Sequence, residues 1–166
     1  QEALSLAMMI EEYCQKNQVR IPYEILATDI SERVLNRAKS GTYFQLEVQR
    51  GLPTPYLLKY FKKEGEDRWI ASTAILNKIE YRKLNLKDKL PYQQEFQLIL
   101  CRNVLIYQRV EAKREILSRI TSALADLGCL VLGSGESILG LSQDYEPASH
   151  EGAILYLKKG LATNAA

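Results

Sequence analysis

The sequence is poor in the residues on which metal centres and extracellular proteins depend. It contains three cysteines and one histidine in 166 residues, and it has no Cys-x-x-Cys pair. Cys14, Cys101 and Cys129 are far apart and odd in number, which is typical of reduced thiols in a cytoplasm. His150 lies in a polar stretch, so a surface position is favoured. Neither a metal site nor a histidine-based catalytic triad is expected.

Long apolar runs and a dominant sign of charge are also lacking. No apolar stretch approaches the roughly 20 residues that a membrane-spanning helix requires. The first residues of the chain do not show a basic segment followed by an apolar one, so a secretion signal is not expected. The 22 basic and 20 acidic residues leave a formal charge of +2. This near balance argues against a nucleic-acid-binding protein. We expect a cytoplasmic globular domain that does not insert into a membrane.

Apolar periodicity predicts helices that alternate with strands. Helices are predicted over residues 2–16, 32–40 and 110–127. Strands are predicted over residues 23–27, 96–100, 129–132 and 153–158. Ser31 suits the N-cap of the second helix, and Gly41 suits the position just after its end. The alternation predicts an α/β domain with a mostly parallel sheet, whose ligands bind beyond the carboxyl ends of the strands.

The middle of the chain, residues 42–83, differs in character. Prolines and a glycine interrupt it, and a short helix is predicted over 56–61. Two runs rich in β-forming residues follow, 68–73 and 75–83. We predict a small antiparallel subdomain over 42–83, inserted into an α/β domain that consists of 1–41 and 84–160. Residues 161–166 are expected to form a disordered tail.

Polar residues that follow the predicted strands suit a nucleotide-like ligand. The carboxylate of Asp29 can accept hydrogen bonds from both hydroxyls of a ribose, or it can cap the helix that begins near Ser31. The amide of Asn103 can face a ligand or tie down a turn. Tyr107 can orient an oxygen nucleophile or line the edge of the sheet. The glycines in 133–136 suit a close approach of the backbone to another group. No Gly-x-Gly-x-x-Gly motif occurs, which argues against a dinucleotide-dependent oxidoreductase.

Several segments, in this order, resemble the chemotaxis receptor glutamate methyltransferases, the CheR family. They are Gln1–Met8, Ala27–Ile30, Gly51–Pro53, Lys59–Phe61, Asn85–Leu86, Leu100–Tyr107 and Gly133–Ser137. The most specific is Leu100–Tyr107, and the resemblance spans nearly the whole chain. It implies a class I, Rossmann-like methyltransferase fold with an antiparallel last strand and an inserted antiparallel subdomain. The implied cofactor is S-adenosylmethionine, and the implied product is S-adenosylhomocysteine.

The resemblance also implies roles for individual residues. The implied cofactor-binding residues are Glu2 near the cofactor, Asp29 at its ribose, Asn85 and Leu86 beside the adenine, and Asn103 and Val104 near its reactive end. Tyr107 is the implied catalytic residue, facing the methyl group and the substrate. Gln97 and Ser134 stand where the family commonly has an acidic residue and a histidine.

The activity implied by the resemblance is methyl transfer to glutamate side chains on the cytoplasmic helices of methyl-accepting chemotaxis receptors. The alternative is a non-catalytic or degenerate CheR-like module that binds a receptor or a signalling partner. The turn at Lys63–Asp67 is shorter than in members that bind a peptide at the receptor C-terminus. We therefore expect no dependence on that peptide.

The family's first strand, its glycine-rich loop and its helical N-terminal domain would precede Gln1. The chain is therefore expected to be part of a longer protein. A polypeptide that began at Gln1 is expected to bind the cofactor weakly or not at all.

Overall fold

The computed structural model describes residues 1–160. These residues form two compact units, the first comprising Gln1–Asn85 and the second beginning at Leu86. Within the described range, no helix has the length and apolar character needed to cross a membrane. The tail expected at 161–166 lies outside the described residues.

The first unit contains five helices and five strands within its described length. Its helices are α1 (Glu2–Asn17), α2 (Glu32–Ser40), α3 (Gln45–Gln49), α4 (Thr54–Tyr60) and α5 (Thr73–Leu76). Its strands are β1 (Ile25–Asp29), β2 (Thr42–Phe44), β3 (Phe61–Glu64), β4 (Arg68–Ala71) and β5 (Ile79–Lys83). The boundaries of α2 confirm the prediction, because the Ser31 side chain accepts a hydrogen bond from the Val34 N–H. Gly41 follows the helix with a φ of 62°, a left-handed conformation that glycine adopts at little cost.

The strands of the first unit form a parallel pair and a small antiparallel sheet. β1 pairs with β5 in parallel, and Asp29 lies opposite Lys83. β2, β4 and β3 form the antiparallel sheet in that order, with β3 and β4 joined by the turn at 65–67. The core of this unit is apolar and includes Leu4, Met8, Val48, Leu57, Trp69 and Ile75. Burial of a large apolar side chain stabilises a fold by about 1.5–3 kcal/mol.

The β-rich run predicted at 75–83 is wrong in its first part. Residues 73–76 form α5, in which the Ile75 and Leu76 N–H groups donate to the Ser72 carbonyl. A short apolar run is ambiguous between strand and buried helix, and here local hydrogen bonds decide for the helix. β5 then pairs with β1 and not with the antiparallel sheet, which spans 42–71. The domain limits given from the sequence stay a prediction.

Up to residue 160, the second unit contains a four-stranded sheet and one long helix. Its elements are β6 (Phe96–Cys101), a 3₁₀ turn (Leu105–Tyr107), α6 (Val110–Ala123), β7 (Leu124–Leu132), β8 (Tyr145–His150) and β9 (Ala153–Lys158). The order in the sheet is β6-β7-β9-β8, with β6 and β7 parallel and the other two pairs antiparallel. The inner face of α6 is buried with the sheet through Ile116, Leu117 and Ile120. The α/β class, the parallel pairing and the antiparallel last strand are therefore confirmed.

The helix predicted to reach Leu127 ends at Ala123. The carbonyls of Ser122 and Ala123 accept hydrogen bonds from the Gln94 and Glu95 N–H groups, at 2.9 and 3.0 Å. The last carbonyls of a helix have no hydrogen-bond partners within the helix. Here two of them are satisfied by these distant N–H groups, so the chain can pass directly from α6 into β7. Leu127, the last residue of the predicted helix, lies in β7 with a φ of 61° and is 76% exposed.

Strand β8 is not expected from the sequence. Pro147 and several polar residues interrupt its pattern, and such a segment does not suit a central strand. β8 lies at the edge of the sheet and pairs with β9 alone, a position where proline is tolerated. His150 is accordingly the last residue of β8, next to the turn at Glu151–Gly152.

Candidate functional site

The first unit places two of the predicted cofactor residues after neighbouring parallel strands. Asp29 is the last residue of β1, and Asn85 follows the end of β5 by two residues. The Leu84 N–H donates to the Asp29 carbonyl at 3.1 Å, which extends the pairing of the two strands by one residue. Both residues therefore lie at the carboxyl ends of parallel strands, where α/β sheets bind ligands.

The carboxylate of Asp29 stabilises the approach to α2 without being its N-cap. Its Oδ1 accepts a hydrogen bond from the Ser31 N–H at 2.7 Å. The N-cap is Ser31, whose Oγ accepts from the Val34 N–H at 3.4 Å. A carboxylate offers about four acceptor sites, so the bond to Ser31 leaves capacity for the hydroxyls of a ribose.

Two more of the predicted cofactor residues are Glu2, in the first unit, and Leu86, in the second. Glu2 is the first residue of α1, where the helix dipole stabilises a carboxylate. Leu86 is partly buried against the apolar core of the second unit, and its carbonyl accepts a hydrogen bond from Arg119 Nη1 at 3.3 Å. Leu86 is thus held by both its side chain and its backbone.

The second unit brings two loops together at the ends of β6 and β7. These strands are parallel and in register at their ends, with Cys101 opposite Leu132. The loop after β6 contains Asn103 and Val104, predicted near the reactive end of the cofactor, and Tyr107, predicted to face the methyl group and the substrate. The loop after β7 is the glycine-containing segment 133–136. Both loops therefore leave the same edge of the sheet.

One carboxylate links these two loops. Glu136 Oε2 accepts hydrogen bonds from the Asn103 N–H at 2.7 Å and from the Gly133 N–H at 2.9 Å. Glu136 Oε1 accepts from the Val104 N–H at 3.0 Å and from the Ile106 N–H at 3.1 Å. Partial burial by itself would raise the pKa of Glu136, but these N–H groups stabilise the charged form and hold the pKa below its ordinary value. The side chain is therefore ionised at neutral pH.

The backbone of both loops fits closely around this carboxylate. A Cβ on Gly133 would lie 2.8 Å from Glu136 Oε2 and 3.1 Å from the Asn103 nitrogen, so a larger residue would clash with the carboxylate and crowd the Asn103 backbone. Asn103 has a φ of 59°, in the left-handed region that asparagine tolerates better than most residues. The sequence pointed to Asn103 and to the glycines of 133–136. The contacts with the Glu136 carboxylate account for Asn103 and Gly133, whereas a Cβ on Gly135 would meet no heavy atom within 4 Å.

The first and last residues of the 3₁₀ turn differ in exposure. Leu105 is 2% exposed and anchors the 3₁₀ turn in the core. Tyr107, which ends that turn, is 78% exposed. Its phenol is therefore accessible from solvent.

Glu136 is the residue that sequence reasoning missed. The sequence directed attention to the backbone of 133–136, and it assigned no role to the side chain of the glutamate. A glutamate three residues after a glycine, in a loop that follows a buried strand, was the available signal. It could not show that three of the four partners of the side chain lie 30–33 residues earlier in the chain.

Comparison with known proteins gives a consistent answer. Residues 1–154 match the family described as CheR methyltransferase, SAM binding domain. The chain is 37% identical over 161 residues to the chemotaxis protein methyltransferase Cher2 of Pseudomonas putida, covering 96% of this chain and 58% of that protein. It is 39% identical over 161 residues to chemotaxis protein methyltransferase 1 of Pseudomonas aeruginosa, covering 96% of this chain and 59% of that protein.

A third relative is the chemotaxis protein methyltransferase of Vibrio parahaemolyticus, 34% identical over 160 residues. The matched region covers 96% of this chain and 58% of that relative. The resemblance found in the sequence is therefore confirmed, and it supports the Rossmann-like methyltransferase fold. The chain belongs to the family of CheR methyltransferase S-adenosylmethionine-binding domains.

Proposed function

We propose that the protein transfers a methyl group from S-adenosylmethionine to glutamate side chains of methyl-accepting chemotaxis receptors. The observation that carries this proposal is the family match over residues 1–154. The relatives described above, which are named chemotaxis protein methyltransferases, support receptors as the substrate. The chain spans less than three-fifths of these relatives' length, and the proposed activity is that of the intact protein.

The residues of the chain fit an adenosine-bearing cofactor. The Asp29 carboxylate retains acceptor capacity at a strand end, which suits the paired hydroxyls of a ribose. We propose that Asn85 and Leu86 flank the adenine and that Glu2 lies near the cofactor. Asn103 and Val104 would contact the part of the cofactor that carries the methyl group.

The bound cofactor supplies an electrophilic methyl group on a sulfonium. The nucleophile is a glutamate carboxylate of the receptor, which is ionised at neutral pH and needs no general base. The protein therefore has to align the carboxylate with the methyl group and remove part of its water. The exposed phenol of Tyr107 can donate a hydrogen bond that orients the carboxylate. The products are a glutamate methyl ester and S-adenosylhomocysteine.

The proposed partners are the cytoplasmic helices of the receptors, so we place the protein in the cytoplasm. Each ester removes one negative charge from a receptor helix, which changes the repulsion between neighbouring acidic side chains and supports adaptation of the signal. Neither nucleic-acid binding nor membrane insertion forms part of the proposed function. The short turn between β3 and β4 supports an activity that does not depend on a peptide at the receptor C-terminus.

The experiment is methyl transfer from tritiated S-adenosylmethionine to receptor-enriched membranes by the intact protein. We expect label on the receptors that mild base releases as volatile methanol, because a methyl ester is hydrolysed and an N-methyl group is not. Boiled protein is the control for non-enzymatic labelling. Incorporation no greater than with boiled protein would contradict the proposal, and stable receptor binding in the same preparation would favour the non-catalytic module.

A further inference from the structure

We propose that Glu136 is a positioning residue, whose carboxylate holds the loop at 103–107 in the conformation that binds the cofactor and meets the substrate. The inference rests on the proposed function, because Asn103, Val104 and Tyr107 are the residues of that loop assigned to the cofactor and the substrate. Glu136 itself acts through the backbone of the loop.

The pattern of hydrogen bonds carries this inference. Of the four N–H groups bound to Glu136, three belong to the loop after β6 and one to the loop after β7. The residue between the bonded positions 104 and 106 is Leu105, which is buried. The loop is therefore fixed from one side by an apolar anchor and from the other by a carboxylate, while Asn103 and Tyr107 remain exposed.

The chemistry of the site requires a carboxylate in particular. Each of its two oxygens accepts two N–H groups, and all four bonds are between 2.7 and 3.1 Å. A glutamine of the same size offers one oxygen and one NH₂ group. In either orientation of the amide, the NH₂ group would face two N–H donors and leave both without an acceptor.

The left-handed conformation of Asn103 points in the same direction. A φ of 59° is uncommon for a residue other than glycine, although asparagine tolerates it better than most, and hydrogen bonds from the surroundings stabilise it. The bond from the Asn103 N–H to Glu136 Oε2, at 2.7 Å, is the shortest of the four. Glu136 thus stabilises the conformation at the residue that is proposed to contact the cofactor near its reactive end.

The test is calorimetric titration of the intact protein with S-adenosylhomocysteine, combined with hydrogen exchange of the 103–107 loop. Glu136→Gln should raise the Kd roughly tenfold or more, because two backbone N–H groups that donate to a carboxylate oxygen in the wild type would lose their acceptor. The same variant should exchange the amides of the loop faster, with unchanged circular dichroism. Glu146→Gln is the matched control, since Glu146 is exposed in β8 and should bind and exchange like the wild type.

A second variant keeps the inference testable if Glu136→Gln does not fold. Glu136→Asp retains the charge on a side chain one methylene shorter, so we expect an affinity between those of the wild type and the glutamine variant. Wild-type affinity in both variants, together with faster exchange of the loop, would show a purely structural role and overturn the inference. Absence of binding by the wild type would overturn the proposed function and the inference with it.

Discussion

Replacing Gly133 by alanine tests the packing of the two loops around Glu136. The added methyl group would lie 2.8 Å from Glu136 Oε2, closer than Cβ atoms come to other heavy atoms in real structures, and 3.1 Å from the Asn103 nitrogen, a distance tighter than most real Cβ contacts. The carboxylate must move or the loops must separate, and overpacking of this kind costs about 1–3 kcal/mol. Since about 1.4 kcal/mol corresponds to a factor of ten, the amides of Asn103, Val104 and Ile106 should lose roughly 5- to 150-fold of their protection.

The control is Gly135→Ala, two residues further along the same loop. A Cβ at Gly135 would meet no heavy atom within 4 Å. This change should leave protection unaltered or raise stability by up to about 1 kcal/mol, through a less flexible unfolded chain. Hydrogen exchange measured by mass spectrometry on the intact protein gives both values under one condition. Equal protection in the two variants would refute the claim that Gly133 is required by the Glu136 carboxylate.

Three further predictions concern the cofactor, the catalytic step and pH. Asp29→Asn keeps an oxygen for the Ser31 N–H but loses the charge, so the Kd for S-adenosylhomocysteine should rise roughly tenfold in calorimetry with little change in thermal stability. Asp67→Asn, in the exposed β3–β4 turn, is its control, and equal affinity of Asp29→Asn and the wild type would argue against ribose binding. Tyr107→Phe should lower kcat for receptor methylation roughly tenfold while the Kd for the cofactor stays constant, because the phenol orients only the substrate. Tyr13→Phe, at an exposed site in α1, is its control, and an unchanged kcat in Tyr107→Phe would remove Tyr107 from catalysis. Because the pKa of Glu136 is lower in the folded protein, its stabilisation is complete at neutral pH and is lost as the pH falls through that pKa. The difference in unfolding free energy between the wild type and Glu136→Gln should therefore shrink in acid, and a difference that is independent of pH in urea titrations would contradict an ionised carboxylate.

The sequence predicts the elements whose signals are local. The N-cap at Ser31 and the glycine that ends α2 follow from single residues with defined conformational preferences. Strand β9 matches its predicted limits, and β6 differs by one residue, because apolar strands bounded by turns carry a strong pattern. The positions of Asp29 at the end of one parallel strand and of Asn103 after another follow from the same alternation of strands and helices.

The features that the sequence does not predict depend on distant parts of the chain. α6 ends early because the backbone of Gln94 and Glu95 bonds to its last carbonyls. β8 forms by antiparallel pairing with β9, and no sequence pattern within 145–150 indicates this pairing. The role of Glu136 depends on N–H groups about thirty residues away in sequence. Spacing along the chain carries no information about such partners.

The most direct test of the proposed activity is to identify the residue that receives the methyl group. The intact protein would be incubated with receptor-enriched membranes and S-adenosylmethionine that carries a deuterated methyl group, and receptor peptides would be mapped by tandem mass spectrometry. We predict deuterated methyl esters on glutamate side chains of the receptors' cytoplasmic helices, and none with boiled protein. Label on lysine, arginine or cysteine, or no label on the receptors, would contradict the account.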